Sequence, residues 1–197
     1  MIDDTIVLRT DRLTIRPFER ADLDTIHAIL NEAFDPVSAA ERAEWLDWAV
    51  RNYAALARLY QPPYGDRAIV RRQDQRLIGA VGLVPSYGPF DKLPFFRERA
   101  AAPPSGLFTP ELGLYWALGS AYRGQGYATE AARALIDYVF STLAAKRVIA
   151  MTEYDNAASA AVMRRLGMVI ERNPDPTPVW FQTVGILENP AIRSERE

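Results

Sequence analysis

Cysteine is absent from this 197-residue chain, and histidine occurs once, at His27. The first absence excludes disulfides, a thiol nucleophile and thiolate metal sites. The second excludes a histidine-rich zinc site and leaves His27 as the only base a Ser-His pair could use. His27 is poorly placed for that role. It lies inside the helical pattern Ala21–Phe34 and shares a stripe with Leu23, Leu30 and Phe34, as a histidine at the edge of a packed helix face would. No apolar run reaches the roughly 18 residues of a membrane span. The opening MIDDTIVLRTDR has no basic segment ahead of an apolar one, so no signal peptide is expected and a cytoplasmic location is. The net charge of −2 gives no broad nucleic-acid footprint, and no membrane partner is expected. What remains is an ordinary globular balance of 49% hydrophobic and 24% charged residues, long enough for one domain with a full core.

Periodicity orders the chain. Arg12–Phe18 alternates and reads as a strand, followed by a helix over Ala21–Phe34 that Asp35-Pro36 stops. Ser38 and Glu41 form a capping box, which starts a second helix running to about Tyr60. Arg67–Arg72 and Arg76–Val84 read as a hairpin around Gln73-Asp74-Gln75. Pro85–Gly106 reads as a long irregular segment with exposed aromatics, a length that in a compact domain marks function or mobility. Glu111–Leu118 is a strand, Tyr127–Leu143 a helix and Arg147–Thr152 a strand. Asn156–Leu166 is a helix closed by Gly167, and Met168–Arg172 and Val179–Val184 form a last strand pair. The strand–helix–strand unit over 111–152 implies a parallel pair. The hairpins imply antiparallel pairing elsewhere. Residues 1–184 are expected to form a single domain and 185–197 a polar tail.

The stretch YRGQGYATEAARALIDYVF, Tyr122–Phe140, carries the chemistry. Ala128, Ala132, Leu135, Val139 and Leu143 mark its buried face, and Glu130, Arg133, Asp137 and Ser141 its wet face. The first turn of any helix has amides without an internal partner and the positive end of the helix dipole. Gly124 and Gly126 add bare backbone that tolerates positive φ, and Arg123 adds a fork of donors. Together they suit a phosphate or pyrophosphate. A plain strand-to-helix turn that needed glycines fits as well. A Walker loop does not fit, because no lysine follows. A dinucleotide fingerprint fits poorly: Thr129 holds its third glycine position, although Glu153 and Asp155 imitate its ribose-binding acid.

Arg123-Gly124-Gln125-Gly126-Tyr127-Ala128 resembles the acyl-CoA pyrophosphate loop, [RQ]-x-x-G-x-[GA], of the GNAT superfamily of N-acetyltransferases. Arg123, Gly126 and Ala128 stand at its motif positions. TDRLTIRPFERADLD and LGLYWALGSAYRGQGYATEA look like the branch that includes the ribosomal-protein N-terminal acetyltransferases. NAASAAVMRRLGM is similar to its N-x-x-S helix, with Met168 in place of the usual phenylalanine. The resemblance runs from about Leu8 to Val184. It implies an α/β (α+β) GNAT fold: a mixed, mostly antiparallel sheet of about six to seven strands with a splayed parallel pair, flanked by about four helices.

By the same resemblance, acetyl-CoA is the co-substrate, and no metal is needed. Trp116 and Leu118 offer backbone groups to the pantetheine arm, and an amide near Leu118 polarises the thioester carbonyl. The loop Arg123, Gly124, Gln125, Gly126, Tyr127 and Ala128 holds the pyrophosphate. Asn156 and Ser159 touch the cofactor or its thiol, although Asn156 equally suits a helix cap. Glu111 is the candidate base for the acceptor amine, with Glu153 in reserve. The acceptor is a peptide N-terminus or a small-molecule amine, walled by 35–38, 85–106 and 173–178 and by Tyr87, Phe90, Phe95, Phe96, Trp45 and Trp48. Those aromatics would serve equally to pack their loops down. The protein is expected to act as a monomer or homodimer. A non-catalytic acyl-CoA-binding module and a nucleotide-binding α/β protein are the competing readings.

Overall fold

The computed structural model describes residues 6–101 and 103–191. Eight strands and five α-helices are present among them. In chain order they are β1 (Leu8–Arg9), β2 (Leu13–Pro17), α1 (Leu23–Ala33), α2 (Ala39–Arg58), β3 (Gly65–Arg71), β4 (Arg76–Gly88), α3 (Pro94–Arg97), β5 (Thr109–Leu118), α4 (Tyr127–Ser141), β6 (Arg147–Thr152), α5 (Ala157–Leu166), β7 (Val169–Arg172) and β8 (Thr183–Glu188). The sheet order is β1-β2-β3-β4-β5-β6-β8-β7. The strand–helix–strand unit gives the expected parallel pair, with Gly113 of β5 opposite Ile149 of β6. The pairs β1–β2, β2–β3, β3–β4, β6–β8 and β7–β8 are antiparallel. No helix among the described residues is long and apolar enough to cross a membrane.

The chain gathers into two compact units. The first holds the chain up to Val84 together with Tyr115–Tyr138, and the second holds Pro85–Leu114 and the chain from Val139. In the first, Phe18, Ile26, Ile29, Leu30, Leu46, Ala68, Val70, Ala80 and Ala117 form a buried cluster. The amphipathic faces of α1 and α2 cover it, as their spacing requires. The capping box forms as read: Ser38 Oγ accepts from Glu41 N at 3.2 Å, and Ser38 N donates to Glu41 Oε2 at 2.9 Å. The hairpin turns where Gln73–Gln75 stand, and β4 approaches β5 so closely at Gly79 that a Cβ there would lie 2.3 Å from Ala117 O. On α4, Ala132, Leu135 and Val139 are buried as expected.

In the second unit Phe90, Leu93, Phe95, Ile149, Phe181, Val184 and Ile186 make the core. This corrects the reading of 85–106 as irregular with exposed aromatics. β4 continues to Gly88, a 3-10 turn takes Phe90–Lys92, and α3 follows. Phe90 and Phe95 are buried core residues rather than pocket walls, whereas Tyr87 is exposed and lies against Phe108. Asp91 Oδ2 closes the segment by accepting from Ser105 N, Ser105 Oγ and Gly106 N. Lys92 pairs with Asp175 at 2.8 Å. These ties join residues far apart in sequence, so periodicity could not reveal them. The final strand also starts later and runs further than Val179–Val184, because Val179–Phe181 takes a 3-10 turn that seats Phe181 in the core. Of the expected polar tail, 192–197 lie outside the described residues.

Candidate functional site

β5 ends at Leu118, Ser120–Tyr122 makes a 3-10 turn, and α4 opens at Tyr127. The loop between them contains two left-handed glycines, Gly124 at φ 74° and Gly126 at φ 83°. Any other residue at either position would be strained. A Cβ at Gly124 would meet nothing within 4 Å, so its backbone is open to a ligand. The first bond of the α4 ladder runs from Glu130 N to Gly126 O at 3.0 Å. The amides of Tyr127, Ala128 and Thr129 therefore precede the ladder and lack helical acceptors. Thr129 Oγ1, in the same first turn, is buried without a partner. Arg123 is exposed, and its Nε donates to Leu118 O at 2.9 Å. That bond holds the guanidinium beside the loop and uses one lone pair of the Leu118 carbonyl. Gln125 braces the turn through Nε2 to Ala121 O at 2.9 Å.

A second arginine holds this loop. Arg12 donates from Nη1 to Gln125 O at 3.0 Å, and from Nε to Glu130 Oε2 at 2.6 Å, with its guanidinium 4.4 Å from the Tyr127 ring centroid. Glu130 also accepts from Thr10 Oγ1 and Arg12 N. Burial raises the Glu130 pKa, but the donors from Thr10 and Arg12 outweigh it, and the net shift is downward. Glu130 is thus a fixed part of the loop's support, not the wet-face residue its spacing implied.

The other candidates have defined partners. Glu111 receives three bonds from Arg147: Nε to Oε1 and Oε2 at 3.0 and 2.9 Å, and Nη2 to Oε1 at 2.6 Å. Arg147 lies over the Phe96 ring at 4.7 Å. As a base, Glu111 would have to give up this pair. Glu153 is exposed, and its pKa is lowered by its own backbone amide and by Thr152 and Asn156. Asn156 caps α5, its Oδ1 accepting from Ser159 N at 3.0 Å. Gly167 ends that helix in the left-handed conformation at φ 83°. Trp116 is partly buried on β5. His27 sits at the edge of α1, with Nδ1 buried and unpaired and Nε2 3.5 Å from Asn31 Nδ2.

Residues 12–169 match the family model described as an acetyltransferase (GNAT) domain. The chain belongs to the GNAT acetyltransferase family. It is 29% identical over 163 residues to the uncharacterized N-acetyltransferase YoaA of Bacillus subtilis (strain 168), covering 82% of this chain and 81% of that protein. It is 26% identical over 160 residues to spermidine N(1)-acetyltransferase of Escherichia coli (strain K12), covering 80% of this chain and 73% of that one. Among solved structures, the ribosomal alpha-N-protein acetyltransferase RimL in complex with coenzyme A superposes with a TM-score of 0.60 at 16% identity, covering 92% of this chain and 96% of that chain.

Arg12, which bonds the loop of this GNAT chain, and Thr129, whose buried hydroxyl sits in its first helical turn, lie outside the motif. Spacing gives Arg12 as the opening of a strand and Thr129 as a departure from the dinucleotide fingerprint. The available signal for Thr129 was a hydroxyl in the first turn of a helix already marked for anion binding. Arg12 gave no local signal, since its partners are Gln125 and Glu130. Among the aromatics, Trp45 packs edge-on against Phe18 and Trp48 is exposed. Phe34 stacks on Tyr115 with ring centroids 5.9 Å apart.

Proposed function

We propose that this chain moves the acetyl group of acetyl-CoA to a primary amine by direct attack, without an acyl-enzyme intermediate. The observation that carries the reading is the loop at the mouth of α4, with its two left-handed glycines, ladder-free amides and flanking Arg123. Backbone donors at a helix start suit two close negative charges. Tyr127, Ala128 and Thr129 would hold the pyrophosphate with Gly124, Gln125 and Gly126, while Arg123 adds a cation. Trp116 and Leu118 present strand backbone to the pantetheine arm. Asn156 and Ser159 would serve the thiol, although the Asn156 carbonyl group already caps α5. Acetyl-CoA supplies the activated acyl group, and the chain orders it for attack. The acceptor is a small amine, the reading that the spermidine N(1)-acetyltransferase relative supports, or a peptide N-terminus.

Calorimetric titration with CoA, followed by thiol release from acetyl-CoA against spermidine and free-N-terminus peptides, tests the reading. Heat with turnover of one acceptor supports it. Heat without turnover leaves an acyl-CoA-binding module. No heat at millimolar CoA removes the proposal.

A further inference from the structure

The first unit contains a carboxylate, Asp66, that belongs to none of the motifs above. Asp66, on β3, pairs with Gly82 of β4. A Cβ at Gly82 would lie 2.7 Å from Asp66 Oδ1, so the glycine leaves the seat in which this carboxylate rests. Ala68 and Val70, which share its face of the strand, belong to the cluster beneath α1 and α2, and Tyr115 packs against that cluster. Asp66 and Tyr115 are both partly buried, and the Phe34 ring stacked on Tyr115 is 53% exposed.

Nothing holds the carboxylate. Its oxygens make no hydrogen bond and no ion pair among the described residues; only the backbone carbonyl is engaged, accepting from Tyr53 Oη. Neither nearby arginine forms an ion pair with it among the described residues, although both lie close enough to act on its charge. Arg67 Nη1 donates to Pro63 O and Gly65 O, while its Nε and Nη2 are buried without a partner. Arg42 Nη2 reaches Asn31 Oδ1, its guanidinium lies over Trp45, and its Nε is buried without a partner. Asp22 shows what a carboxylate with a structural task looks like in this unit, bound by Arg16 Nη1 and Nη2 and by Glu19 N. A partly buried carboxylate without a hydrogen-bond partner beside aromatic rings complements an ammonium.

We propose that Asp66 receives the acceptor amine as an alkylammonium beside Tyr115 and Phe34, and takes its proton before acetyl transfer. The proposal rests on the acetyl-transfer reading above. The ammonium gives one proton to the carboxylate. The freed nitrogen lone pair forms the C–N bond at the thioester carbonyl, the C–S bond breaks with its electrons on sulfur, and the second nitrogen proton ends on that thiolate. Asp66 then returns its proton to solvent. Burial raises the Asp66 pKa to about 6, against the lowering pull of Arg67 and Arg42. The titratable and charged groups facing it are Arg67 on β3, Arg42 and Tyr53 on α2, and Tyr115 on β5, whose phenol is itself raised by burial and by Asp66. A base poised near neutrality suits this transfer. Glu111, held in its ion pair, is then a structural tie.

The test uses the full chain and its isosteric variant Asp66→Asn. In carbon-13 NMR of aspartate-labelled wild type, one carboxyl resonance should titrate near pH 6 and be missing in Asp66→Asn. Saturating phenethylammonium chloride should move that titration to lower pH, because the cation favours the ionised form. An unmoved titration overturns the proposal. With the faster acceptor among spermidine and the free-N-terminus peptides, Asp66→Asn should lower kcat at least 100-fold and lose the acidic limb of the kcat/KM profile, with the heat of CoA binding unchanged. An unaltered profile also overturns it. If wild type neither binds CoA nor turns over, the acetyl-transfer reading has failed, while the NMR arm still reports on the ammonium site.

Discussion

At the scale of single residues, charge placement decides the chemistry. Arg123 combines a bond to Leu118 O with exposure at an anion-ready loop. Arg123→Ala should raise the KM for acetyl-CoA about tenfold with little change in kcat, the signature of a lost charge-assisted contact present in ground and transition states alike. An unchanged KM in steady-state kinetics would remove Arg123 from the phosphate site. Asp66 makes a stability prediction as well. Its folded pKa is raised to about 6 from 3.8, so the folded state holds a proton that the unfolded chain has released. Stability should therefore fall as pH rises from about 4 to 6, by up to about 3 kcal/mol. Asp66→Asn should remove that fall in urea melts taken across this range. Glu130 has the opposite sign. Its depressed pKa adds stability above the ordinary carboxylate range that is lost as pH drops through it. Glu130→Gln should cost about 1–2 kcal/mol at pH 7, and the gap should close below about pH 4.

At the scale of elements, the close approaches matter most. Gly79 allows β4 to lie against β5: an added Cβ would sit 2.3 Å from Ala117 O and 2.6 Å from Leu118 Cδ2. Backbone on one side cannot yield as a flexible side chain would. Gly79→Ala should cost about 3 kcal/mol or more in a denaturant melt. By pushing on Leu118 it should also weaken CoA binding. A variant with wild-type stability would show that the strands can separate there without penalty. Gly185 contrasts with it, since a Cβ there would meet Met163 and Met168 sulfur atoms at 3.0 Å, and thioether side chains can move.

At the scale of the whole molecule, each of the two units has its own core, and the glycine loop lies wholly within the first. CoA at about a hundred times its dissociation constant should raise stability by about 2.7 kcal/mol. For a protein of this size that is a Tm gain of about 5–10 °C. Amide exchange should slow most at Gly124–Thr129. Stabilisation without protection in that stretch would place the ligand elsewhere.

Local order was readable in the sequence wherever a few neighbouring residues determine it. The Ser38–Glu41 box, the turn at Gln73–Gln75, the strand Arg147–Thr152, the Asn156 cap and the Gly167 stop all stand where composition and spacing put them. The loop of Arg123–Ala128 was legible for the same reason, because glycine, a helix start and a cation lie within six consecutive residues. Tertiary structure alone decided which side chains meet. Glu111 finds Arg147 through the β5–β6 crossover, Arg12 finds Glu130 across 118 residues, and Asp66 lies on Gly82 only in the observed register. Propensity and periodicity act over one or two turns or a single strand, whereas these pairings depend on how the strands align and what packs over them. That is why the glycine loop at the mouth of α4 could be read from the chain itself, while the unpaired Asp66 carboxylate could not.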